Sequence, residues 1–405
     1  MLTEDENVGR QPETIRRRRG RRRVLKGVAA LLACVVAAIL TVAYVWQPPE
    51  ERDFHSSWSV DSHFVDTPVA RFHYTKTGNG APVVLLPGGT LWSYTYRDTI
   101  PALANHHTVY AVDPPGYGYT SVHDEDFSYD VQAMADALSS FMDAVGVPRA
   151  SILAHSLNGS VALYLAETRP ERVDKLVLMA PLGLNAQVNF NLELMRAPVI
   201  GEAMTKLMGR STFASGLSGA YARGQRLTSR VVDEYWAPLS RRSNRKAMWK
   251  QVRMLDLSLV DRKLGDIRAP TLILWGDRDT FVSPEQANRL RRRIPASTLR
   301  MFPGLGHVLH EDAPALVNRE LVAFLGGPPM ASGRNGQESA DGSSLRHGSA
   351  VRSDSAAYAR PVQTVSNPVF PWLPGGRGNP TVLRLLVRKS VWAWLGAVVT
   401  EPRCR

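Results

Sequence analysis

The middle of the chain repeats one pattern, in which a short apolar run ends in turn residues and a stretch with helical periodicity follows. The apolar runs are rich in Val, Ile and Leu and cover residues 82–88, 108–116, 150–156, 175–183, 271–277 and 297–304. Continuous runs of this length are typical of strands buried on both faces of a parallel sheet. Helical patterns at 130–145 and 159–168 lie between them. The alternation predicts an α/β domain, about residues 63–326, with a mostly parallel central sheet and helices on both faces. The segment 70–82 predicts an antiparallel hairpin at its edge.

The alternation stops between about residues 185 and 266, where the pattern is helical and poor in strands. This stretch contains Met195, Met204, Met208, Met248 and Met254, and residues 185–263 carry 14 basic against 6 acidic side chains. An inserted helical cap over one sheet edge fits best. The methionines either line an adaptable apolar pocket or pack the cap helices together.

The first 46 residues have the pattern of a membrane segment. Residues 1–27 are strongly basic, and residues 28–46 are 19 residues without a charge, about 28 Å as a helix. The positive-inside rule then places the first residues in the cytoplasm and the rest of the chain outside. A transmembrane signal anchor is favoured over a cleaved signal because no clear small-residue cleavage site follows. A twin-arginine-like export signal at residues 20–26 is a further alternative, and a lipobox ending at Cys34 is the weakest.

The net charge of +12 lies at the two ends of the chain, because residues 50–326 carry 30 basic and 29 acidic groups. Nucleic-acid binding is therefore not indicated. The two cysteines, Cys34 and Cys404, lie outside this region, so it has neither a disulfide framework nor a cysteine metal site. We interpret residues 47–62 as a linker. The composition of 327–405 is typical of a disordered tail, although an apolar stretch near its end would also suit a surface-lying amphipathic helix.

Ser156 ends one apolar run where a helical pattern begins at once, in the segment ILAHSLNGS. A nucleophilic serine at such a strand–helix turn needs small residues two positions before and after it, usually glycines. Here those positions hold Ala154 and Asn158, and Gly159 follows. Taken alone, this motif supports a nucleophile and a helix-capping serine about equally.

An acid and a base follow in the same chain. Asp279 comes after the run 271–277, 123 residues beyond Ser156, and His307 comes after the next run, another 28 residues on. Serine, acid and histidine in this chain order, each at the carboxyl end of a parallel strand, form a nucleophilic site. Asp277 and His310 are the rivals. We prefer Asp279 because it lies further out in its loop, and we expect His310 to face solvent or cap a helix.

The segments VVLLPGGTLWSYTYRDTIPAL, VYAVDPPGYGYTS, AHSLNGS, LILWGDRDTFVSPE and GLGHVLHEDAP resemble the α/β-hydrolase superfamily, in its branch of capped serine hydrolases. The resemblance covers about residues 72–325. It implies that the backbone N–H groups of Gly89 and Leu157 form the oxyanion hole. Pro87 stands where the family usually has histidine, which puts the support of that loop in doubt. The resemblance also implies that the turn Asp113–Gly118 is structural.

Such a site would cleave a carboxylic ester, or a lipid ester, through an acyl-enzyme intermediate and without a metal or organic cofactor. A C–C bond hydrolase of ring-cleavage products is the alternative, and a non-catalytic binding module with this fold is a third. A serine nucleophile argues against the related epoxide hydrolases and haloalkane dehalogenases, which use aspartate. The expected partners are a small-molecule or lipid ester and the membrane, and the pattern gives no oligomeric state.

Overall fold

The computed structural model describes residues 11–49, 58, 61–184 and 190–326 of the chain. The predicted tail at 327–405 and most of the predicted linker lie outside the described residues.

One sheet of nine strands forms the centre of the fold, with the spatial order β1-β2-β4-β3-β6-β7-β8-β9 and β5 beside β2. The strands are β1 (Ser62–Asp66), β2 (Ala70–Thr77), β3 (Ala81–Leu86), β4 (His107–Val112), β5 (Ser121–Val122), β6 (Ala150–His155), β7 (Val173–Met179), β8 (Thr271–Gly276) and β9 (Ser297–Phe302). All six predicted apolar runs are strands, and from β4 to β9 every neighbouring pair is parallel. The mostly parallel α/β sheet predicted from the alternation is confirmed.

The helices follow the same alternation and then accumulate between β7 and β8. They are α1 (Gln11–Leu40), α2 (Ile100–Ala104), α3 (Val131–Ala144), α4 (Leu157–Thr168), α5 (Phe190–Arg196), α6 (Pro198–Leu207), α7 (Arg210–Ser218), α8 (Ser229–Leu239), α9 (Arg242–Met254), α10 (Ser258–Asp261), α11 (Glu285–Arg293), α12 (Leu309–Asp312) and α13 (Pro314–Leu325). Helices α5 to α10 occupy the predicted cap, and the described residues between β7 and β8 contain no strand.

The predicted edge hairpin at 70–82 is wrong in its pairing. Strand β2 is antiparallel, as expected, but it pairs with β1 and β4 and not with β3, which follows it in the chain. Strand β3 is apolar throughout and buried on both faces, so it lies inside the parallel sheet beside β4 and β6. The hairpin partner of β2 is β1, whose side chains are mostly exposed, as an edge strand requires.

Strand β3 also marks the place where the chain changes direction across the sheet. The strands next to it are β4 on one side and β6 on the other, and Leu86 at its end pairs with Ala154 in β6. At such a switch point the loops after two adjacent strands separate and leave a crevice at their carboxyl ends. The loops that follow β3 and β6 are those that carry Gly89 and Ser156.

The cap and the core have separate apolar clusters. The main core includes Leu85, Ile152, Trp275 and Phe141, all fully buried around the sheet. A second cluster joins Trp92 and Tyr94 of the core to cap residues such as Tyr235, Trp236 and Met248. Met195 and Met208 pack against this second cluster, so these methionines hold the cap together and onto the core.

The second half of helix α1 is apolar and largely exposed. Together with the π-helical turn Thr41–Val45 that follows, it forms a span of 23 residues, Arg23–Val45, whose most apolar 18 residues have mean hydropathy 2.7 and are 6% buried. By length and composition it could cross a membrane, as a membrane anchor or as a signal sequence. Its end contacts the cap, where Lys206 Nζ donates a hydrogen bond of 2.6 Å to the carbonyl of Ala43.

Candidate active site

Ser156 lies on a sharp turn between β6 and α4, with φ 52° and ψ −121°. A residue with a side chain rarely adopts positive φ, and such backbone strain is concentrated at functional sites. Main-chain hydrogen bonds hold the turn: the Ser156 N–H donates to Met179 O at 2.9 Å, and Leu182 N donates to Ser156 O at 2.8 Å. The turn projects the serine side chain from the carboxyl edge of the sheet.

Two neighbours explain how this turn forms without the usual glycines. A Cβ on Gly159 would overlap Pro181 after β7, so the close helix approach uses a glycine one position later than the family pattern. Asn158 is buried, and its side-chain amide donates a hydrogen bond of 2.6 Å to the carbonyl of Pro87. The asparagine therefore ties the serine turn to the loop after β3, where the sequence showed proline in place of histidine.

The structure brings Ser156, His307 and Asp279 together. Ser156 Oγ is 2.8 Å from His307 Nε2, and His307 Nδ1 is 2.8 Å from Asp279 Oδ2. Asp279 follows β8 and His307 follows β9, so the loops of neighbouring strands meet at one edge of the sheet. All three side chains are at most 9% exposed.

The hydrogen-bond pattern sets the proton positions on His307. An ionised carboxylate only accepts, so Nδ1–H donates to Asp279, and Nε2 is left to accept the Ser156 hydroxyl proton. Asp279 Oδ1 accepts from the backbone N–H groups of Phe281 at 2.8 Å and Val282 at 3.0 Å, which fixes the carboxylate. This is the arrangement in which a histidine takes a proton from serine while a buried acid orients it.

The rival residues have other partners. Asp277 Oδ1 accepts from the backbone of Gly304 at 2.6 Å, so this carboxylate closes a turn and does not reach His307. The expectation that His310 faces solvent or caps a helix is wrong. His310 is 1% exposed, and its Nε2 is 2.8 Å from the hydroxyl of Thr95. Burial lowers the pKa of His310 to about 4, so this imidazole is neutral.

His155, which no motif in the sequence singles out, supports the histidine loop. Its Nε2–H donates to the carbonyl of His307 at 3.0 Å, and the two rings are 4.7 Å apart. Burial, followed by the neighbouring His307 and His310, lowers the pKa of His155 well below its usual value. Gly88 leaves room for this ring, because a Cβ there would lie 2.5 Å from His155 Nδ1. The sequence feature that could have indicated this role is the position of His155 immediately before Ser156.

A segment of the cap braces both loops that carry the site. The carbonyl of Ala220 accepts from the backbone N–H of His307 at 2.8 Å, and the carbonyl of Gly219 accepts from the Thr280 hydroxyl at 3.0 Å. Phe281 stacks on the His307 imidazole, with ring centroids 5.2 Å apart and 15° between the planes. The cap segment therefore takes part in positioning the site.

Below His307, the buried carboxylate of Glu311 joins the cap to the core. It accepts from the hydroxyls of Tyr235, Tyr221 and Thr95 at 2.5, 2.8 and 2.7 Å, and pairs with Arg97 at 2.7 Å. Burial alone would raise the pKa of Glu311, but the Arg97 charge and the hydroxyl donors outweigh it and lower the pKa. Asp312 adds to this anchoring, because it accepts from the backbone N–H of Ala222 in the cap at 3.0 Å and from that of Gly306 in the histidine loop at 2.8 Å.

Gly89 and Leu157, the expected oxyanion donors, lie next to each other. Leu157 is the first residue of α4, so its N–H has no partner within the helix. A Cβ on Gly89 would be 3.5 Å from Leu157 Cδ1, so the loop after β3 passes directly beside the serine turn.

The structure also accounts for the turn at Asp113–Gly118. Asp113 is fully buried and accepts from His73 at 2.7 Å and from the backbone of Ser93 at 2.8 Å. A Cβ on Gly118 would overlap the Asp113 carboxylate, which explains the glycine at its φ of +47°. The described residues contain no group of three or more His, Cys, Asp and Glu side chains placed to hold a metal ion.

Comparison with known proteins places this chain among enzymes with the same fold. A 2-hydroxy-6-oxo-6-phenylhexa-2,4-dienoate hydrolase of Burkholderia cepacia is 30% identical over 274 residues, which cover 63% of this chain and 91% of the relative. A cis-3-alkyl-4-alkyloxetan-2-one decarboxylase of Shewanella oneidensis is 26% identical over 280 residues, which cover 65% and 87%.

A solved structure of a bacterial membrane phospholipase A matches with a TM-score of 0.58 and 23% identity, covering 75% of this chain and 94% of that one. This likeness shows the fold alone. The family model for the alpha/beta hydrolase fold matches residues 81–314, which include strands β3 to β9, helices α5 to α10 and the three residues of the site. The chain belongs to the α/β hydrolase fold family.

Proposed function

We propose that this protein is a serine hydrolase that cleaves a carboxylic ester through an acyl-enzyme intermediate. The observation that supports it most is the continuous hydrogen-bonded chain from Ser156 Oγ through His307 to Asp279, on a turn with positive φ. Strain at the nucleophile, a neutral accepting Nε2 and a fixed carboxylate are the features that activate a serine hydroxyl.

In the proposed reaction, the Ser156 oxygen attacks the ester carbonyl carbon while its proton passes to His307 Nε2. The carbonyl oxygen becomes an oxyanion that accepts hydrogen bonds from the backbone N–H groups of Gly89 and Leu157. The tetrahedral intermediate collapses, and His307 gives its proton to the departing alcohol. Water then attacks the acyl-enzyme by the same steps in reverse order and releases the acid and free Ser156.

The substrate class is supported by the nucleophile and by the apolar helix. A serine forms an acyl ester that water can cleave at the carbonyl, which suits ester hydrolysis. An apolar N-terminal helix beside the cap favours a substrate found at a membrane, so a lipid ester is our preferred subclass.

A C–C bond hydrolase is the second candidate. It is favoured by the 30% identity to the 2-hydroxy-6-oxo-6-phenylhexa-2,4-dienoate hydrolase, a relative of which 91% is covered. A panel of p-nitrophenyl esters of rising acyl length, assayed beside a ring-cleavage dienoate, separates the two. Turnover of an ester at least 100-fold faster than that of the dienoate supports an ester hydrolase. Turnover of the dienoate at least 100-fold faster than that of any ester supports a C–C bond hydrolase instead.

The nucleophile is tested with a fluorophosphonate probe on the full chain. We expect labelling of the parent protein and none of Ser156→Ala, whereas Ser160→Ala, four residues further along the same helix, should label normally. Labelling that persists in Ser156→Ala would remove Ser156 from its role. A parent protein that does not label at all would favour a non-catalytic binding module.

We further propose that the helix at Arg23–Val45 is a membrane anchor that leaves the hydrolase domain outside the cytoplasm. Its length, its exposed apolar surface and the basic residues before it support this orientation. Carbonate extraction of membranes should leave the full chain in the pellet. Release of the protein into the soluble fraction would instead favour a cleaved signal.

A further inference from the structure

A cavity of about 620 Å³ lies outside the candidate active site, between the cap, the core and the segment that follows the apolar helix. Neither Ser156, His307 nor Asp279 lines it. Its walls come from α6 and α9 of the cap, from the loop 116–125 of the core, and from Gln47 and Pro48. A volume of this size is typical of a ligand site.

Positive charge dominates the lining of this cavity. Two carboxylates, Glu125 and Glu202, stand against five cations, which are Lys206, Arg242, Arg245, Lys246 and Lys250. Cations from α6 and α9 thus line the same cavity. The charged side chains of an ordinary solvated helix face would instead point away from each other into water. The Ser121 hydroxyl and the second amide hydrogen of Asn244 add hydrogen-bonding capacity, whereas the Thr120 hydroxyl already donates to the carbonyl of Asp113. An anionic ligand with several acceptor oxygens matches this lining.

Part of this lining is fixed before any ligand arrives. Arg245 is 4% exposed and donates to the carbonyls of Lys206 at 3.2 Å and Leu239 at 3.4 Å, while its guanidinium lies over the Trp236 ring. A preorganised cation loses little conformational entropy when an anion binds.

The other cations differ in how firmly they are held: Lys206 pairs with Glu202 at 3.2 Å, with side chains 13% and 23% exposed, whereas Lys246 and Lys250 are held more weakly. Lys246 pairs with Glu125 at 3.1 Å, but the Glu125 side chain is 91% exposed, so water screens this pair. Lys250 reaches the main-chain carbonyl of the same residue at 2.6 Å. An incoming anion would exchange a weak surface pair for a stronger one.

The cavity lies next to the end of the apolar helix. Lys206 Nζ donates to Ala43 O at 2.6 Å, and Arg242 Nε donates to Pro48 O at 2.8 Å, so cavity cations attach to that segment. Pro48 is three residues beyond the last residue of the span, within about 10 Å of it along an extended chain. Tyr44 and Trp46 are exposed there, as aromatic residues are at the boundary between lipid and water.

We propose that this cavity is a binding site for a phosphate ester group. The source that its position favours is the headgroup of an anionic phospholipid, because the headgroup layer is about 5 to 7 Å thick on each side of a bilayer. Bound there, the phosphate would accept from the cations of α6 and α9 and hold the cap at the membrane surface.

The test measures binding by calorimetry to the full chain in a neutral detergent, in the Ser156→Ala background, so that no turnover interferes. The probes are inorganic phosphate, a short-chain ether-linked phosphatidylglycerol and the uncharged dialkylglycerol of the same length. The test variant is Lys246→Gln with Lys250→Gln. The matched control, Arg289→Gln with Arg292→Gln on α11, removes the same charge from exposed residues that do not line the cavity.

We expect the ether phosphatidylglycerol to bind the parent and to bind the Lys246 and Lys250 double variant roughly 30-fold more weakly, about fivefold for each cation. The α11 control should change by less than about threefold. Tighter binding of the ether lipid than of phosphate assigns the site to lipid headgroups, and equal affinities assign it to a free phosphate compound.

Three outcomes would overturn the proposal: no binding of either phosphate probe, equal weakening by the two double variants, or equally tight binding of the uncharged lipid. In the Ser156-containing chain, the double variant should label with fluorophosphonate at the parent rate, which shows that the fold is intact. The binding measurement does not depend on catalysis, so it stands even if the proposed ester hydrolysis fails.

Discussion

Asn158 and Gly159 show how this chain builds a serine turn from an unusual set of residues. The glycine that permits close helix packing stands three positions after Ser156, against Pro181, and the asparagine before it faces the Pro87 carbonyl. The substitution of proline for histidine after β3 is thereby matched by a hydrogen bond from the other side of the crevice. The two departures from the family pattern, Asn158 after the serine and Pro87 after β3, are therefore structurally linked by this hydrogen bond.

We predict that Asn158→Ala weakens the site. The change leaves the buried Pro87 carbonyl without its donor, which costs about 1 to 3 kcal/mol of unfolding free energy and loosens the loop that carries Gly89. Fluorophosphonate labelling should slow by at least tenfold. Ser160→Ala is the control, since its hydroxyl donates to Leu157 O within the same helix and does not contact that loop. Equal slowing in both variants would contradict a role for the amide.

The two aspartates after β8, Asp279 and Asp277, should have different functions. Asp279→Asn removes the acceptor that keeps the His307 proton on Nδ1, so labelling should slow by roughly 10³ to 10⁴, on the scale of a lost triad acid. Asp277→Asn affects a turn contact to Gly304 and should slow labelling by less than about threefold. If labelling slowed more in Asp277→Asn than in Asp279→Asn, Asp277 would be the residue that orients His307 and Asp279 the turn residue.

At the scale of elements, the short helix α12 connects the cap to the loop that carries His307. Its residue Glu311 contacts Tyr235 of α8 and Arg97 of the core, and the preceding loop contacts Ala220 of the cap. The cap and the histidine loop therefore form one packed unit. A disturbance of this carboxylate should affect stability and the site together.

We predict that Glu311→Gln lowers the unfolding free energy by about 3 to 5 kcal/mol, because Arg97 then loses its buried counterion. Labelling of Ser156 should slow as well. The matched control is Asp98→Asn, which breaks the partly exposed pair with Arg226 and should cost less than about 1 kcal/mol. Denaturant-induced unfolding of the two variants is compared in the same detergent. Equal losses of unfolding free energy would show that the buried Glu311 pair contributes no more than the partly exposed pair.

A pH dependence of stability follows from His310. Its pKa is lowered to about 4, so between pH 7 and 5 the unfolded chain gains a proton that the folded chain does not. Stability should therefore fall as the pH drops through this window, by about 2 kcal/mol from His310, with a further loss from His155 in the same direction. At lower pH, Glu311 adds its own loss as its carboxylate becomes protonated.

The measurement is the thermal midpoint of the full chain at pH 7, 6 and 5, compared with that of His310→Gln. The glutamine amide keeps a donor for Thr95 but has no titrating group, so its profile should be flatter. A variant profile as steep as the parent's would show that His310 does not carry the effect.

At the scale of the whole molecule, the apolar helix and the hydrolase domain are linked through the cap. Two contacts attach the cap to this region: Lys206 donates to Ala43 in the last turn of the apolar span, and Arg242 donates to Pro48 just after it. Neither contact involves a residue of the sheet.

Deletion of residues 1–49 should therefore leave the hydrolase domain folded. We expect the truncated chain to appear in the soluble fraction, to label at Ser156 at close to the parent rate, and to melt a few degrees lower because both cap contacts are lost. Fractionation followed by labelling checks this. A truncated chain that is insoluble and unlabelled would show that the helix is part of the folded domain.

The sequence determined the parts of this protein that depend on local pattern. Apolar runs predicted the six parallel strands. Five of them are buried on both faces and so have no polar face to alternate with, whereas β9 is a partly exposed edge strand. Chain order then selected Ser156, Asp279 and His307, since the carboxyl ends of parallel strands meet at one edge. The structure places all three within hydrogen-bonding distance.

Only the tertiary structure decided the features that need distant residues to meet. The pairing of β2 with β4, the burial of His310 against Thr95, and the Glu311 cluster each join segments that are far apart in the chain, and no local pattern encodes such pairs. The cationic cavity is of the same kind, because side chains of α6 and α9 converge only after the cap folds onto the core. Periodicity reports which face of an element is buried, whereas packing decides what lies against it.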